Sequence, residues 1–400
     1  MIDNPLQPLR DDAGPGTGLT AEGLVRAGRR RVRRRRTARA AAAAALVLVV
    51  TVGVAAVAEL RPRPQPPGPQ PAPTATRPVP PAPTPSATPG CQVYLLAMPD
   101  GVKVDPVVVD ATGHWAAGLR ADRRGVVIWH DGVVSSVVQD VDVTNLAGIS
   151  AAGVAAGSGP AGDGRSRAMT FQDDHATALP LPAGAPAGAA TSGYGVNAGG
   201  DVVGTYDDPR AGTRRAVLWR HDDPVHPRVL ATPAGRNAAA FAISPDGTVG
   251  GMLGDFADGH RPYLWRPDGT GTELPRPAGK ADGLVDGLAG EWATDFDNGV
   301  RWRLTGPGTS GTPGTPAPIA MPAVDGATGR SLTADGTVLF SGPKRAVLWG
   351  AGEPVELPLP TGFAYVRARS ASADGTVIGG VASNLQSTAS GTPLLWRCGG

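Results

Sequence analysis

The chain has 400 residues, of which 57 are glycine, 41 are proline and only two are cysteine; its apolar share of 41% is enough for a core. This much glycine and proline excludes a mainly helical protein and favours many short strands joined by turns. Residues 1–90 carry 13 arginines against five acids, whereas residues 91–400 carry 24 basic residues against 30 acids. The C-terminal part is therefore acidic, and we expect no nucleic-acid partner.

The N-terminal segment has the pattern of a membrane anchor. Nine arginines fall between Arg26 and Arg39, and 19 uncharged residues follow at 40–58. A helix of this length reaches ~28 Å, about the apolar thickness of a bilayer. The arginines before it and Glu59 after it predict a cytoplasmic N-terminus. We therefore expect a mostly disordered basic stub at 1–39, a single-pass transmembrane helix at 40–60 in the cell membrane, and an extracytoplasmic remainder.

Two alternatives to this interpretation stay open. The sequence "AVA" at 56–58 is a small-x-small site, so the apolar segment could be a signal peptide cleaved after Ala58. The arginine run could also be a nucleic-acid patch, although positive flanking of a membrane helix explains it fully.

Residues 61–90 contain 13 prolines. Such a segment has no core-forming residues and predicts an extended proline-rich linker. At ~3.1 Å per residue it would reach ~90 Å, which would hold the domain at 91–400 away from the membrane.

The region after the linker is built from a repeated unit. Each repeat has a small polar turn ending in glycine, a valine-rich run, a variable loop, and an apolar run that closes on an aromatic residue. These aromatic residues are spaced by 37 to 48 positions, at Trp129, Phe171, Trp219, Trp265, Trp302, Trp349 and Trp396. A period of 40–48 residues with four short strands is typical of β-propeller blades. We therefore predict an all-β, seven-bladed β-propeller.

The two cysteines indicate how the ring closes. The seventh repeat stops at "WRCGG" and has no fourth strand, whereas "CQVYLLAMPDG" at 91–101 reads like an orphan fourth strand. The N-terminal strand would then complete the last blade and bring Cys91 beside Cys398. An oxidising exterior permits a disulfide between them.

The stretch "VNAGGDVVGTYDDPRAGTRRAVLW" at 196–219 resembles the bacterial extracellular repeat named for its His-Ala-Phe (HAF) motif. The matching positions are Asn197, Gly200, Val202, Val203, Gly204, Leu218 and Trp219. The family's histidine is replaced by arginine, at Arg167, Arg215, Arg261 and Arg345. The resemblance implies a propeller fold with no settled activity. The arginine-rich stub and the composition also resemble single-pass surface proteins of high-GC Gram-positive bacteria.

The sequence shows no motif for catalysis. "GPGTSG" at 306–311 matches a dinucleotide fingerprint but lies in a low-complexity loop, and "DFDNG" at 295–299 lacks the later acidic ligand of a calcium loop and is interpreted as a turn. The histidines show no ligand spacing. We therefore expect no cofactor and no metal, and we expect that the protein is not an enzyme.

Binding is expected on the face where the long loops between the second and third strands of each blade emerge. The candidates there are polar loop residues, with ordinary solvated charge as the alternative: Asp207, Asp208, Arg210, Asp255, Asp258 and His260. Trp115 and Trp292 lie outside the aromatic register and could stack on a sugar or pack in a core. The repeated arginines could bind an anionic polymer, or pair with turn acids of neighbouring blades such as Asp246 or Asp335.

We predict a monomeric, membrane-tethered surface propeller that acts as a non-catalytic binding or scaffolding module. Its partners would be the membrane, through 40–60, and a cell-wall polymer or another surface protein. One alternative is a transmembrane signalling protein, similar to an anti-sigma factor, whose stub engages a cytoplasmic regulator. The other is a propeller enzyme that acts on cell-wall polymers.

Overall fold

The computed structural model describes residues 90–399, apart from 100–101, 256–258, 306–315, 351–353 and 385–389. The predicted stub, the predicted transmembrane helix and residues 61–89 of the predicted linker lie outside the described residues. No helix in the described part of the chain has the length and apolar character that a membrane crossing requires.

The described strands form seven four-stranded antiparallel sheets, which are the blades of a β-propeller. The first strand of each blade contacts the first strands of both neighbouring blades, so these innermost strands surround a central channel. From the centre outwards, blade 1 consists of β2 (Val104–Val109), β3 (Trp115–Arg120), β4 (Gly125–His130) and β5 (Val133–Gln139). Blade 2 consists of β6 (Asn145–Ile149), β7 (Ala155–Pro160), β8 (Ser166–Gln172) and β9 (His175–Ala178). Blade 3 consists of β10 (Ala190–Val196), β11 (Val202–Asp208), β12 (Thr213–Trp219) and β13 (Arg228–Val229). Blade 4 consists of β14 (Ala238–Ile243), β15 (Val249–Asp255), β16 (Gly259–Trp265) and β17 (Gly271–Glu273). Blade 5 consists of β18 (Gly287–Ala289), β19 (Trp292–Asp295), β20 (Val300–Arg303) and β21 (Pro318–Ala320). Blade 6 consists of β22 (Thr328–Leu332), β23 (Val338–Ser341), β24 (Ala346–Trp349) and β25 (Val355–Glu356).

Blade 7 closes the ring with strands from both ends of the propeller. Its first three strands are β26 (Tyr365–Ala371), β27 (Val377–Ser383) and β28 (Thr392–Cys398), and its outermost strand is β1 (Cys91–Leu95). Cys91 lies opposite Cys398 in the β1–β28 pair, and the two form a disulfide. The seven blades, the closure by the N-terminal strand and the disulfide are therefore confirmed.

Glycine turns join the first and second strands of the blades. In blade 3, for example, the Gly200 N–H donates to the Asn197 carbonyl at 3.0 Å, and Gly200 has φ +89°. Backbone with positive φ excludes most side chains, which explains why each repeat has a glycine at this point. The glycine turns that begin at 110, 150, 197, 244, 333 and 372 fall between a first and a second strand, and in blade 5 Gly290 of "LAG" occupies the same place.

The predicted aromatic register falls on the third strand of every blade. Six of the seven rings are fully buried; Trp349 is half-buried. In five blades the indole N–H also donates to a backbone carbonyl of the preceding blade, as Trp219 does to Pro180 at 2.9 Å. The other four pairs are Trp129 with Ala97, Trp265 with Ala231, Trp302 with Pro275, and Trp396 with Pro358. The repeated tryptophan therefore fills the core between blades and also links them.

Candidate functional site

The channel wall is shaped by a β-bulge in the innermost strand of six blades. A bulge inserts one residue that has no partner on the neighbouring strand and turns its side chain away from the sheet. The bulges interrupt β2, β6, β10, β14, β22 and β26. In five of them the inserted residue lines the channel, and these residues are Ala147, Tyr194, Phe241, Arg330 and Arg369. The channel lining is therefore set mainly by one position in each repeat.

Glycine in the second strand makes room for these bulges. Gly204 lies opposite Gly193, directly before the bulge residue Tyr194. A Cβ added to Gly204 would overlap the backbone carbonyl oxygen of Ser192. Gly251 has the same relation to the carbonyl of Ala239. The glycine of the repeated Val-Val-Gly pattern is thus required by the strand beside it.

Two cavities occupy the channel, one at each end. The first, called here the turn-face cavity, opens where the turns between first and second strands lie, and has a volume of about 600 Å³. Its polar and aromatic lining includes Tyr194, Phe241, Asp286, Phe296, Arg330 and Arg369. A cavity of this size is typical of sites for small organic molecules.

Asp286 is the buried acid of the turn-face cavity, whose lining also includes Asp246. It precedes β18, in the blade whose innermost strand has no bulge, and its carboxyl accepts the Phe296 N–H at 3.1 Å and 3.3 Å. Burial, together with the neighbouring charges of Asp295 and Asp297, raises the pKa of Asp286 to about 8. The carboxyl can therefore hold or release a proton near neutral pH, as a general acid or base must.

Arg330 and Arg369 are the cationic groups. Among the described residues neither guanidinium has a hydrogen bond or an ion pair with another side chain. Enclosure in the channel lowers the pKa of Arg369, and the charge of Arg330 lowers it further. Two neighbouring guanidiniums without a carboxylate partner form a site that attracts an anion.

Aromatic rings line the same cavity. The rings of Tyr194 and Phe241 come from adjacent blades, with centroids 5.5 Å apart, and Tyr194 is 38% exposed. Phe296 lies beside the Asp286 carboxyl through its backbone N–H. The turn-face cavity thus combines an apolar wall, two cations and two acids, of which Asp246 accepts hydrogen bonds within its own turn and Asp286 lies in the same cavity without such a turn. The apolar wall and the two cations suit an organic anion.

The second cavity, called the loop-face cavity, lies at the opposite end of the channel, where the innermost strands begin. Its volume is about 560 Å³, and Asp105, Arg123 and Arg367 line it together with Arg330 and Arg369. Arg367 lies 3.4 Å from the Asp105 carboxylate. Burial raises the pKa of Asp105, while the surrounding arginines act to lower it.

The loop residues predicted as a binding site do not meet in the channel cavities. Asp207 forms an ion pair with Arg214 at 2.7 Å, and Asp208 accepts the backbone N–H groups of Arg210 and Ala211 within its own loop. His260 is buried and lines a third cavity of about 440 Å³. Asp258 lies outside the described residues, and Asp255 is described only as the end of β15. Ligand binding by this set stays a prediction.

The repeated arginines do not pair with the turn acids that the sequence suggested. Asp246 and Asp335 accept hydrogen bonds from their own turns. Three of the arginines instead pair with an acid of their own blade: Arg167 with Asp163 at 2.7 Å, Arg261 with Glu273 at 2.7 Å, and Arg345 with Glu356 at 3.4 Å. Arg215 is exposed, opposite Tyr206. The suggested blade-to-blade pairing is wrong because the turn carboxylates already accept hydrogen bonds within their own turns.

Trp115 and Trp292 both pack against core clusters. Trp115 lies 4.3 Å from the His130 ring, measured between centroids, and Trp292 carries the Arg301 guanidinium at 4.6 Å from its ring centroid. These contacts favour the core-packing interpretation over sugar stacking. "DFDNG" forms a turn between β19 and β20, in which Asp295 is buried and accepts the Leu284 and Asn298 N–H groups. "GPGTSG" lies outside the described residues, and within those residues no three His, Cys, Asp or Glu side chains are placed to hold a metal ion.

Sequence reasoning missed the channel residues. Two signals were present: arginines alternate in "RARSASADG" at 367–375, and "GRSLTADG" at 329–336 has an arginine before the same turn. Both stretches are innermost strands followed by their glycine turn. A repeat alignment that compared this strand across blades would have singled out Arg330 and Arg369.

Comparisons with known proteins give structural neighbours only. No family model and no curated protein sequence matches the chain. A virginiamycin B lyase from Staphylococcus aureus is similar at 14% identity, over 77% of this chain and 99% of that one, with a TM-score of 0.47. A gluconolactonase from Xanthomonas campestris is similar at 13% identity, over 81% and 99%, with a TM-score of 0.40. A puromycin-hydrolyzing peptidase from Mycobacterium tuberculosis is similar at 18% identity, over 70% and 49%, with a TM-score of 0.47.

These neighbours correct one expectation. The sequence led us to expect that the protein is not an enzyme, and the neighbours are named as a lyase, a lactonase and a hydrolase. The exclusion of enzyme activity is therefore wrong. The error arose because the absence of a short catalytic motif says little about a propeller, whose channel residues come from strands far apart in the chain. At identities of 13–18% the likeness concerns the fold alone.

Proposed function

We propose that this protein is an acid–base enzyme that acts on a small organic carboxylate in its turn-face cavity. The observation that carries the proposal is the meeting of Asp286, Arg330 and Arg369 in one cavity of about 600 Å³. The two guanidiniums would hold the carboxylate of the substrate, and the aromatic rings would hold its apolar part. Asp286 would transfer a proton to or from the bound molecule.

The arrangement supports proton transfer because each group has a distinct role. Guanidiniums that hold a carboxylate also stabilise negative charge that develops next to it during proton removal. A carboxyl whose pKa lies near 8 has both protonation states available at neutral pH. Enclosure in the channel strengthens these electrostatic interactions, since little water separates the charges. The reaction class is therefore elimination, isomerisation or hydrolysis driven by acid–base catalysis.

The test is a panel of small organic carboxylates incubated with the full-length protein in D2O and followed by proton NMR. We expect at least one member to exchange a carbon-bound proton or to be converted. The Asp286→Asn variant should lose this reaction by 100-fold or more. Asp282→Asn is the matched control, because Asp282 is half-exposed and lines neither channel cavity. Equal rates in wild type and Asp286→Asn, or no reaction with any carboxylate, would refute the proposal.

We also propose that the propeller is tethered to the cell membrane and lies outside the cytoplasm. The support is the arginine run followed by the 19 uncharged residues at 40–58. We expect the full chain in the membrane fraction and a chain lacking residues 40–58 in the supernatant. An N-terminal sequence beginning at Glu59 would replace the anchor by a cleaved signal peptide. The HAF-type repeat, the cell-wall or surface-protein partner and the cytoplasmic regulator stay predictions.

A further inference from the structure

The loop-face cavity holds more positive charge than its acid balances. Four guanidiniums act electrostatically on the single Asp105 carboxyl: Arg367, Arg369, Arg123 and Arg330. With Asp105 ionised, the described lining of the cavity carries four guanidiniums against one carboxylate, and two of the four, Arg330 and Arg369, also line the turn-face cavity. Cations that converge in an enclosed space repel one another unless an anion accompanies them.

Two of these arginines are fixed at the rim of the cavity by local structure. Arg123 lies in the hairpin loop between β3 and β4, and its guanidinium donates to the Thr144 carbonyl at 2.9 Å, next to the start of β6. Arg367 projects from β26 and pairs with Asp105 at 3.4 Å. Neither residue lines the turn-face cavity. Their placement is therefore independent of the site proposed for the carboxylate substrate.

We propose that the loop-face cavity binds a doubly charged tetrahedral oxyanion: free phosphate or sulfate, or the phosphate group of a monoester. A tetrahedral oxyanion has enough acceptor oxygens to engage several guanidiniums, each of which offers planar pairs of N–H donors. A single carboxylate would leave part of the positive charge unbalanced. Asp105 holds Arg367 in place and at the same time opposes the bound anion.

The experiment is a calorimetric titration of the full-length protein with sodium orthophosphate at pH 8, with sodium chloride added to keep ionic strength constant. We expect a dissociation constant in the millimolar range or lower, and at least tenfold weaker binding of acetate. Arg123→Gln should weaken phosphate binding about tenfold. Arg165→Gln is the matched control, because Arg165 is an exposed arginine of the loop between β7 and β8 on the same face and lines neither channel cavity.

Asp105→Asn provides a test in the opposite direction. Removal of this carboxylate should tighten phosphate binding several-fold, which a destabilised protein would not do. Sulfate and glycerol phosphate are further probes. Tighter binding of glycerol phosphate than of orthophosphate would identify the ligand as an esterified phosphate. Tighter binding of orthophosphate would identify it as a free ion. No phosphate binding, equal affinity for acetate, or equal losses in Arg123→Gln and Arg165→Gln would overturn the proposal. None of these outcomes bears on proton transfer by Asp286.

Discussion

Asp286 is a carboxyl whose chemistry depends on its surroundings in the channel. It lies in a cavity with two unpaired guanidiniums, yet the charges that act on its pKa are those of Asp295 and Asp297, acids that favour its neutral form. Nothing in the sequence around "LVDGLAG" distinguishes this aspartate from the many turn aspartates of the chain. Its role follows only from its position on the channel.

The raised pKa of Asp286 predicts a pH-dependent stability difference. Below pH 4 the carboxyl is protonated in both folded and unfolded chains, so it does not make the free energy of unfolding depend on pH. Between pH 4 and about pH 8 the unfolded chain releases this proton while the folded chain keeps it, so stability falls as pH rises. The Asp286→Asn variant has no carboxyl at this position, so it does not lose stability in this way as the pH rises. We expect the stability of the variant relative to wild type to be higher at pH 9 than at pH 5, by ~1 kcal/mol or more.

Urea unfolding of both proteins at pH 5 and pH 9 measures this difference. The free-energy gap between variant and wild type should widen from the lower to the higher pH. A constant gap at the two pH values would show that Asp286 titrates in the folded protein as it does in the unfolded chain.

The innermost strands are the elements that give the channel its chemistry. Their bulges place side chains of several blades toward the axis, and in blades 3 and 4 a glycine of the second strand lies beside the bulge, where a Cβ would overlap the backbone of the first strand. The repeated sequence therefore carries two kinds of information. The tryptophan and the turn glycine specify the blade, whereas the bulge position varies between blades and specifies the lining.

The bulge predicts that substitution by alanine will change the free energy of unfolding very differently at two glycines of blade 3. Gly204→Ala would place a methyl group against the Ser192 carbonyl, and neither backbone can move without breaking the strand pair. We expect a loss of more than ~3 kcal/mol in the free energy of unfolding, or failure to fold. Gly199→Ala is the control, since its added Cβ would lie 3.4 Å from the nearest atom, the Asn197 Oδ1, and it should change stability by less than ~1 kcal/mol. Equal thermal midpoints for the two variants would contradict this account.

The sequence predicted the elements better than it predicted the site. The aromatic register, the glycine turns and the orphan strand at Cys91 recur at fixed places in the repeat, so repetition itself reveals them. Asp286, Arg330 and Arg369 come from three different blades and are separated by about 40 residues at each step. Arg330 and Arg369 lie at the bulge position, where blades 2, 3 and 4 carry alanine, tyrosine and phenylalanine, whereas Asp286 precedes an innermost strand that has no bulge. No local pattern joins such residues, and only the closed ring brings them together.

The whole molecule is held closed by β1 and by the Cys91–Cys398 disulfide. Every other blade is made from consecutive strands, so opening of the ring is resisted mainly at this seam. The bond joins cysteines 307 residues apart. A crosslink across so long a loop restricts the unfolded chain strongly.

Loss of this bond should therefore lower global stability. We expect the double variant Cys91→Ser/Cys398→Ser to lose ~2–5 kcal/mol, measured as a shift in the urea midpoint. Reductant should lower the midpoint of the wild type to that of the variant and leave the variant unchanged. If the oxidised wild type and the double variant unfold at the same urea concentration, β1 alone closes the ring.

The seam also gives the propeller a defined orientation. The Gly399 N–H donates to the Gly90 carbonyl at 2.7 Å, beside the turn that ends blade 7's first strand, so both ends of the propeller meet on the face that carries the Asp286 cavity. A segment joined at Gly90 therefore leaves the propeller from the outermost strand of blade 7, on the turn face, while the arginine-rich opening lies on the opposite face. The two entrances of the channel are consequently not equivalent with respect to the chain ends, and a label joined at Gly90 or Gly399 marks the entrance that carries Asp286.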